Sequence, residues 1–332
     1  MTGVLAVIPC LNEEKYIEKL VLSLLPAAKS IPMRIVIVDG DSSDHTPNIA
    51  QRLAAEHPEV LSLYNPKRFQ SAAVNLAVAV FGSTDRYLIR LDAHADYPAN
   101  FCQLLIGEAE SFDAASVTVP MNTVGITWFQ RAVAAAQNSY LGNGGAQHRS
   151  KADKGVMVDH GHHALMRISA FRAVGGYDDT FSHNEDAELD FRLRKAGYKI
   201  WLTAKTCLNY YPRSRPWALF KQYMSFGAGR ARTSVKHKAL PKIRQLIPAP
   251  VAPTFILALA APESDIAVMP ISLWAGVCLG YGIVLGIRDR STASAMAGPA
   301  AMIMHMAWSI GFWRCLLSIP SRRLATGRSG PR

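Results

Sequence analysis

The segment VLAVIPCLNEE at residues 4–14 decides the fold class of this chain. Its apolar run Val4–Ile8 ends at a proline, and polar residues then open a helical pattern over Glu14–Leu25. This order predicts a buried strand that runs directly into a helix, the opening unit of an α/β sheet. Backbone N–H groups at the start of that helix, together with Asn12, would face a nucleotide bound beyond the strand. The alternative, from these residues alone, is an ordinary βα loop with helix-capping residues.

The same alternation continues through the first half of the chain. Further strands are predicted at Arg34–Val38, Val60–Tyr64, Tyr87–Leu91 and Ala115–Val119, and helices at His45–His57, Ser71–Val80 and Asn100–Glu110. Strands separated by helices favour right-handed crossovers and a mixed, mainly parallel sheet flanked by helices on both faces. Ligands of such sheets bind beyond the carboxyl ends of the strands. The loops after Ile8, Val38 and Leu91 are therefore the candidate binding loops.

Past Pro120 the pattern becomes mainly helical. Helices are predicted at Thr127–Leu141, Ser182–Ala196 and Trp217–Lys236, and a polar, glycine-bearing loop at Gly142–Gly155.

The charge of the chain is divided along its length. Residues 1–190 carry 15 Lys and Arg against 22 Asp and Glu, whereas residues 191–262 carry 14 Lys and Arg and no acidic residue. A basic block just before apolar segments favours attraction to an anionic membrane surface. Nucleic-acid binding is the alternative, because basic surfaces attract phosphates. No helix-turn-helix, zinc-finger or base-stacking pattern accompanies the charge, so no nucleic-acid partner is expected.

The five cysteines are Cys10, Cys102, Cys207, Cys278 and Cys315. Their number is odd, they lie far apart, and they form no CxxC pair. The pattern favours reduced thiols in the cytosol over a disulfide framework or a zinc site.

Three apolar segments follow the basic block. They are Ile247–Ala261, Ile266–Ile287 and Ala295–Ile319. The second suits a bilayer core of about 30 Å at about 1.5 Å per residue, and the third is also long enough. The first is short and interrupted by proline, which favours an interfacial position. We expect two spans with both the basic block and the arginine-bearing tail inside; three spans, with the tail outside, is the alternative.

The chain is therefore expected to have two parts. Residues 1–240 would form a catalytic domain, and residues 241–332 a membrane-associated region with two or three apolar helices at about 247–262, 266–287 and 295–319.

Carboxylates follow the second predicted strand, in Asp39-Gly40-Asp41-Ser42-Ser43-Asp44. Asp39 and Asp41 are placed to accept hydrogen bonds from a nucleotide base or ribose, while Asp44 is expected to cap the next helix. The first strand is not followed by GxGxxG, and the chain has no GxxxxGK[ST] motif. These absences count against a dinucleotide oxidoreductase and a P-loop phosphotransferase.

A second acidic cluster, Asp92-Ala93-His94-Ala95-Asp96, follows the predicted strand Tyr87–Leu91. In an extended segment alternate side chains share a face, so Asp92, His94 and Asp96 would point the same way. Two carboxylates and an imidazole suit Mn²⁺ or Mg²⁺, which would hold a diphosphate. A polar turn before Pro98 is the alternative.

A third acidic cluster opens the predicted helix Ser182–Ala196. Ser182 and Glu185 have capping-box spacing, which explains part of the acidity. The helix dipole favours ionised carboxylates there, so Asp186 would be available to take a proton from an acceptor hydroxyl.

Three histidines, His160, His162 and His163, lie within four positions. They lack the spacing of a helical zinc site. A strand or loop that lines the acceptor pocket is the favoured interpretation, with metal binding as the alternative.

These motifs, in this order, resemble the large family 2 of inverting glycosyltransferases, which has the GT-A fold. The resemblance rests on Pro9, Asn12-Glu13, Asp39–Asp44 and Asn75 in the donor half, on Asp92-Ala93-His94 as the DxH form of the metal motif, and on Gly175–Asp178, Glu185-Asp186 and Arg192-Leu193 in the acceptor half. It covers about residues 4–205. The DAH triplet, the DHGHHA run and the apolar C-terminus resemble, more closely, the enzymes of succinoglycan-type exopolysaccharide synthesis.

The resemblance implies roles for individual residues. They are nucleotide contacts by Pro9, Asn12, Glu13, Asp39, Asp41 and Asn75, metal binding by Asp92 and His94, proton abstraction by Asp186, and acceptor or supporting contacts by Glu185, His162, His163, Gln222 and Arg230. The implied cofactor is Mn²⁺ or Mg²⁺. The implied partners are a UDP-sugar donor, an oligosaccharide acceptor linked to undecaprenyl diphosphate, and membrane lipids. The implied place is the inner membrane, with the catalytic domain facing the cytosol.

Two departures from the family pattern limit the resemblance. The frequent second aspartate of VDDGS is Gly40 here. The resemblance therefore does not decide which carboxylate contacts the nucleotide base. No QxxRW occurs, which counts against processive polymerisation. The remaining alternatives are a glycosyltransferase of another cell-surface glycan or glycolipid, a nucleotidyltransferase, and a membrane scaffold.

Overall fold

The fold is described from a computed structural model, which covers residues 3–145, 154–181, 183–241 and 243–318. The chain divides into two compact units. The first contains Met1–Asn122 and Ser150–Tyr210, and the second contains Thr123–Arg149 and Tyr211–Arg332. The predicted division into a catalytic domain, residues 1–240, and a membrane-associated region, residues 241–332, stays a prediction. Ser182, the predicted first residue of a capping box, and the arginine-bearing tail after Ile319 lie outside the described residues.

Ten strands are described. They are β1 (Gly3–Cys10), β2 (Met33–Asp39), β3 (Val60–Tyr64), β4 (Asp85–Arg90), β5 (Ser116–Val119), β6 (Met121–Thr123), β7 (Val156–Met157), β8 (His162–Arg167), β9 (Ile200–Leu202) and β10 (Leu208–Tyr210).

Fourteen helices are described. They are α1 (Ile17–Ser30), α2 (Thr46–Glu56), α3 (Gln70–Phe81), α4 (Phe101–Ser111), α5 (Trp128–Gln137), α6 (Tyr140–Asn143), α7 (Ile168–Ala173), α8 (Glu185–Lys195), α9 (Pro216–His237), α10 (Ile243–Leu246), α11 (Val251–Ala260), α12 (Asp265–Asp289), α13 (Thr292–Ala295) and α14 (Ala297–Ser318).

The first unit is built on an eight-stranded sheet in the order β3-β2-β1-β4-β8-β5-β9-β7. Strands β3, β2, β1 and β4 are mutually parallel, and β9 is parallel to β5. Strand β8 is antiparallel to both of its neighbours, β4 and β5. These pairings confirm the predicted α/β fold with a mixed, mainly parallel sheet. Because β8 runs the other way, its first residues lie beside the carboxyl end of β4.

Strand β1 shows why the sheet is covered on both faces. Val4, Ala6 and Ile8 belong to one apolar cluster, and the intervening Leu5 and Val7 belong to the other. Successive side chains of a strand point to opposite faces, so an uninterrupted apolar run needs a layer on each side. Helices α1, α2 and α4 contribute to the first cluster, and helices α3, α7 and α8 contribute to the second.

The second unit is helical. Helices α5, α9, α12 and α14 share an apolar cluster that includes Val133, Leu219, Leu285 and Met304. Two helical stretches, Asp265–Asp289 and Thr292–Ser318, are long and apolar enough to cross a membrane by length and composition. The shorter apolar helix α11 corresponds to the segment expected at an interface.

Two predicted helices differ from the structure. The predicted helix Thr127–Leu141 is wrong as one element, because it is divided into α5 and α6. Ser139, at the division, is extended with a φ of −107° and a ψ of 162°, and the amide of the preceding Asn138 bonds to the backbone N–H and C=O of Thr123. The helix predicted from Ser182 begins at Glu185, after Asn184 with a φ of 67° in the left-handed region.

Candidate active site

The loops after β1 and β2 are joined at the carboxyl edge of the sheet. The backbone N–H of Asn12 donates to Ser42 Oγ at 2.8 Å, and Asn12 Oδ1 accepts the N–H of Ser43 at 2.8 Å. Asn12 has a φ of 58°, a left-handed conformation that asparagine adopts more readily than most residues. Its side chain is thus used to hold two loops together. The contact with a nucleotide predicted for it stays a prediction.

Asp39, the last residue of β2, carries a buried acceptor oxygen. Its Oδ2 accepts the N–H groups of Asp41 and Ser42 at 3.2 and 3.3 Å. Its Oδ1 is buried and has no hydrogen-bond partner in the part of the chain that the structure describes. An unpartnered buried acceptor is costly unless a ligand donates to it. The arrangement suits an N–H or O–H donor of a bound nucleotide.

Asp41 and Pro9 lie near Asp39 but differ in exposure. Asp41 is exposed, with a φ of 66°, and lies 3.7 Å from Arg68 Nη1. Pro9 is within β1 and pairs in register with Val38 of β2. Both predicted donor contacts thus lie at the same sheet edge as Asp39.

Asn75 lies on α3, and its amide is used within the protein. Asn75 Nδ2 donates to the carbonyl of Tyr177 at 2.8 Å and to Asp179 Oδ1, while Asn75 Oδ1 accepts the N–H of Tyr177 at 2.9 Å. These contacts do not fit the nucleotide contact predicted for Asn75, because both ends of the amide anchor the loop before α8. We interpret Asn75 as a support of the acceptor half.

The cluster after β4 forms a turn. The N–H of Ala95 bonds to the carbonyl of Asp92 at 3.1 Å, so the segment is not extended. Asp96 makes an exposed ion pair with Lys19 at 2.7 Å. The expectation that Asp96 shares a face with Asp92 and His94 is therefore wrong, since alternation holds only for extended chain.

Asp92 and His94 are each held by hydrogen-bonding side chains. Asp92 accepts a hydrogen bond from Gln70 Nε2 at 3.2 Å, and its N–H donates to the hydroxyl of Tyr97 at 2.7 Å. His94 Nδ1 lies 3.0 Å from Glu13 Oε1. Sequence reasoning missed Gln70, because nothing in its helical pattern indicates this long-range contact.

The donor types at Asp92 and His94 fit a divalent cation that takes further ligands from its substrate. Within the described ranges, no group of three or more His, Cys, Asp or Glu side chains is arranged to hold a metal ion. One carboxylate and one imidazole nitrogen would therefore supply only part of a coordination shell, and diphosphate oxygens and water would supply the rest. Hydrogen bonding of Nδ1 to a carboxylate leaves the lone pair on Nε2, the nitrogen that would ligate.

Asp186 lies in the first turn of α8 within a dense polar cluster. Its carboxylate accepts from Arg90 Nη1 at 2.7 Å, from Arg90 Nη2 at 3.2 Å and from the Tyr177 hydroxyl at 2.9 Å. His163 Nδ1 lies 3.3 Å away. Arg90 was missed by sequence reasoning, although a charged residue at the end of an apolar strand was a usable signal.

The environment separates the pKa values of two adjacent carboxyl groups. Burial alone would raise the pKa of Asp186, but Arg90 and His163 hold it well below the ordinary value. Burial, and then the charge of Asp186, raise the pKa of Glu185 to about 7. Asp186 is thus an anion at neutral pH, whereas Glu185 exchanges protons near neutrality.

His163 and Asp190 form the buried base of this cluster. His163 Nε2 lies 2.6 Å from Asp190 Oδ1, and both side chains are fully buried. Burial would lower the pKa of His163, but Asp190 and Asp186 raise it to about 10. Asp190 also accepts from the N–H of Gly161 at 3.2 Å and contacts His160 Nδ1 at 2.9 Å. His163 is therefore a buried cation between two carboxylates.

His162 connects the two halves of the site. Its Nδ1 lies 3.3 Å from Arg90 Nη2, and its Nε2 lies 3.6 Å from Asp92 Oδ2. Arginine only donates, so Nδ1 must accept and the ring proton is on Nε2, toward Asp92. Burial, and then Arg90, lower the pKa of His162 to about 4, in agreement with a neutral ring. Asp92 and Asp186 are thereby linked through His162 and Arg90.

Gln222 and Arg230 lie on α9 of the second unit. The acceptor or supporting roles expected for them stay predictions.

A family model described as Glycosyl transferase family 2 matches residues 5–175. Succinoglycan biosynthesis protein ExoA of Rhizobium meliloti (strain 1021) is 54% identical over 321 residues, 97% of each chain. Dolichyl N-acetyl-alpha-D-glucosaminyl phosphate 3-beta-D-2,3-diacetamido-2,3-dideoxy-beta-D-glucuronosyltransferase of Methanococcus voltae is 25% identical over 246 residues, 69% of this chain and 73% of that one.

Solved structures show the same fold. The mannosyltransferase PcManGT of Pyrobaculum calidifontis, in complex with GDP-Man and Mn²⁺, matches with a TM-score of 0.57 and 17% identity, over 91% of this chain and 86% of its own. TarS 1–349 of S. aureus in complex with UDP matches with a TM-score of 0.50 and 13% identity, over 95% and 91%.

Proposed function

The chain belongs to glycosyl transferase family 2, and from that premise we propose that it transfers glucose from UDP-glucose to a polyprenyl-diphosphate-linked oligosaccharide. The membership confirms the resemblance predicted from the ordered motifs, and the chain is a glycosyltransferase. The pathway we propose is the synthesis of a succinoglycan-like exopolysaccharide. Its support is the identity of 54% to ExoA over nearly the whole of both chains.

The observation that carries the proposal is the chain of contacts from Asp92 to Asp186. Asp92 contacts His162 at 3.6 Å, His162 contacts Arg90 at 3.3 Å, and Arg90 binds Asp186 at 2.7 Å. Asp92, which is predicted to bind the cation and through it the diphosphate, and Asp186, the predicted base, are therefore parts of one polar network on the first unit. A transferase that displaces a nucleotide by a hydroxyl group must hold the leaving diphosphate and activate the attacking hydroxyl at one and the same anomeric carbon.

Donor binding is assigned to the loops after β1, β2 and β4. Asp39 Oδ1 would accept a hydrogen bond from the base, and Asp41, at the same edge, would face the ribose. Asp92 and His94 would hold Mn²⁺ or Mg²⁺, which supplies positive charge to the departing diphosphate. Two neighbours of the same fold hold such groups, GDP-Man with Mn²⁺ in one and UDP in the other, and they support this assignment.

Asp186 is the proposed base. Its carboxylate is ionised, and it would accept the proton of the acceptor hydroxyl as the oxygen attacks the anomeric carbon opposite the diphosphate. Arg90 and Tyr177 hold the carboxylate in place through hydrogen bonds. A single displacement inverts the anomeric centre, so an α-linked donor gives a β-linked product.

The second unit supports a lipid-linked acceptor and an inner-membrane location with the first unit in the cytosol. Two of its helical stretches meet the length and composition of membrane spans. The basic stretch 191–262 precedes them and suits the anionic cytoplasmic leaflet. The name of the Methanococcus voltae relative includes dolichyl N-acetyl-alpha-D-glucosaminyl phosphate, a lipid-linked sugar, which also supports a lipid carrier.

The test is UDP release from UDP-glucose by the purified full chain, with Mn²⁺ or EDTA, and with lipid extract from a strain that lacks the gene. We expect Mn²⁺-dependent release that the extract stimulates, with a new glycolipid on thin-layer chromatography. Formation of UDP-glucose and pyrophosphate from UTP and glucose 1-phosphate, with no UDP release from UDP-glucose, would indicate a nucleotidyltransferase. No release with any nucleotide-sugar would favour a scaffold, and stimulation only by another glycolipid would move the chain to another surface glycan.

A further inference from the structure

The carboxylate of Glu13 contacts one of the two proposed metal ligands. Glu13 Oε1 lies 3.0 Å from His94 Nδ1, and the side chain of Glu13 is 18% exposed while that of His94 is 64% exposed. The two residues are 81 positions apart, in the loops after β1 and β4. A partly buried carboxylate is thus aimed at the ring of an exposed histidine.

The backbone of Glu13 is fixed independently of the His94 loop. Its N–H donates to Thr46 Oγ1 at 2.8 Å, and Thr46 is fully buried. Its carbonyl accepts the N–H groups of Tyr16 and Ile17 at 3.0 Å each, in the first turn leading into α1. The carboxylate therefore projects from a rigid point between α1 and α2, whereas His94 lies in a turn.

The contact sets the tautomer of His94. An ionised carboxylate can only accept, so the ring proton lies on Nδ1 and the lone pair lies on Nε2. A carboxylate on the second nitrogen also orients the ring and raises its basicity as a ligand. Asp92 is held in a comparable way, by Gln70 at 3.2 Å. Each proposed ligand thus has a supporting side chain from a different part of the chain.

We propose that Glu13 is a positioning residue that fixes His94 for cation binding, rather than a contact of the nucleotide itself. This inference rests on the proposed function, because it takes Asp92 and His94 as the cation ligands. Glu13 acts through His94 and so sets the affinity for the cation. It leaves the affinity for the metal-free nucleotide unchanged.

The first measurement is Mn²⁺ binding to the full chain with UDP present. The electron paramagnetic resonance signal of the free ion gives the readout. E13A is expected to weaken Mn²⁺ binding by roughly 10- to 100-fold, the usual effect of losing such a partner. E13Q keeps an acceptor oxygen and should lose less than E13A. E18A is the matched control on α1, where Glu18 makes an exposed pair with Arg52, and it should bind Mn²⁺ like the wild type. Equal binding by E13A and the wild type would overturn the inference.

The second measurement separates positioning from nucleotide contact. In an H94A background, E13A should cause no further loss of Mn²⁺ binding, because Glu13 acts through the missing ring. UDP binding measured calorimetrically in EDTA should be the same for E13A and the wild type. A lower UDP affinity of E13A in EDTA would contradict the inference and favour a direct nucleotide contact. Absence of Mn²⁺ binding by the wild type would instead contradict the proposed cation site, and the inference with it.

Discussion

Arg90 and Asp186 form a two-contact ion pair inside the first unit, with Nη1–Oδ1 and Nη2–Oδ2 distances of 2.7 and 3.2 Å. The planar guanidinium matches the carboxylate, so the pair fixes orientation as well as distance. Arg90 ends β4, two residues before Asp92, and Asp186 lies in the first turn of α8. The pair therefore sets the position of the proposed base relative to the strand that immediately precedes the proposed cation ligand.

Replacement of Asp186 by Asn tests its assignment as the base. Turnover should fall by a factor on the order of 10²–10⁴, while UDP binding stays nearly unchanged, because the amide cannot take the proton. The assay is steady-state UDP release, with calorimetry for UDP. D113N, at an exposed aspartate paired with Arg167, is the matched control.

The D186N variant also leaves Arg90 without its charged partner, so its thermal unfolding should be measured in parallel. A folded D186N enzyme with normal turnover would remove Asp186 from the mechanism.

The stability of the first unit should depend on pH through His163. Its pKa is raised from 6.5 to about 10, so its contribution is full below pH 6.5 and is lost as the pH rises from 6.5 to 10. The melting temperature should therefore fall over that window, and it should fall less in H163Q. H57Q, at the C-terminal end of α2, is the control and should follow the wild type. An identical pH dependence of H163Q and the wild type would contradict this assignment.

Close contact between α9 and α14 should make Gly311 sensitive to substitution. A Cβ at Gly311 would overlap the carbonyl oxygen of Met224, whereas a Cβ at Gly276 on α12 would meet nothing within 4 Å. G311A should destabilise the chain by about 1–3 kcal/mol, since backbone cannot move aside easily. G276A should be neutral or slightly stabilising. Equal melting temperatures of both variants in detergent would show that the two helices do not pack this closely.

The full chain should remain with membranes after an alkaline carbonate wash. The stretches Asp265–Asp289 and Thr292–Ser318 have the length and apolar character of spans, and spanning helices are not extracted by loss of charge attraction. Immunoblots of pellet and supernatant give the readout. Release into the supernatant would indicate a peripheral protein held only by its basic residues.

The sheet was predictable because its signal is local. The apolar run of β1 alternates with the amphipathic pattern of α1, and helices and strands of the first half differ from their predicted bounds by a few residues. The strand pattern alone did not show that β8 is antiparallel, which brings His162 beside Asp92. That arrangement depends on pairing between distant segments.

The residue types of the site could be predicted from the sequence, but the side chains that contact them could not be predicted as well. Asp92, His94 and Asp186 were identified from motifs, and their roles remain predictions. The contacts of Glu13 with His94 and of Asn75 with Tyr177 join segments more than 80 positions apart. No periodic pattern encodes such contacts, so the sequence could not show that Asn75 supports a loop.

Calorimetric titration of Mn²⁺ into the full chain saturated with UDP tests the central claim most directly, with D92A and H94A as companions. We expect the wild type to take up one ion per chain and each variant to bind it far more weakly. No heat of Mn²⁺ or Mg²⁺ binding to the UDP-bound wild type, or unchanged binding by D92A and H94A, would contradict the account.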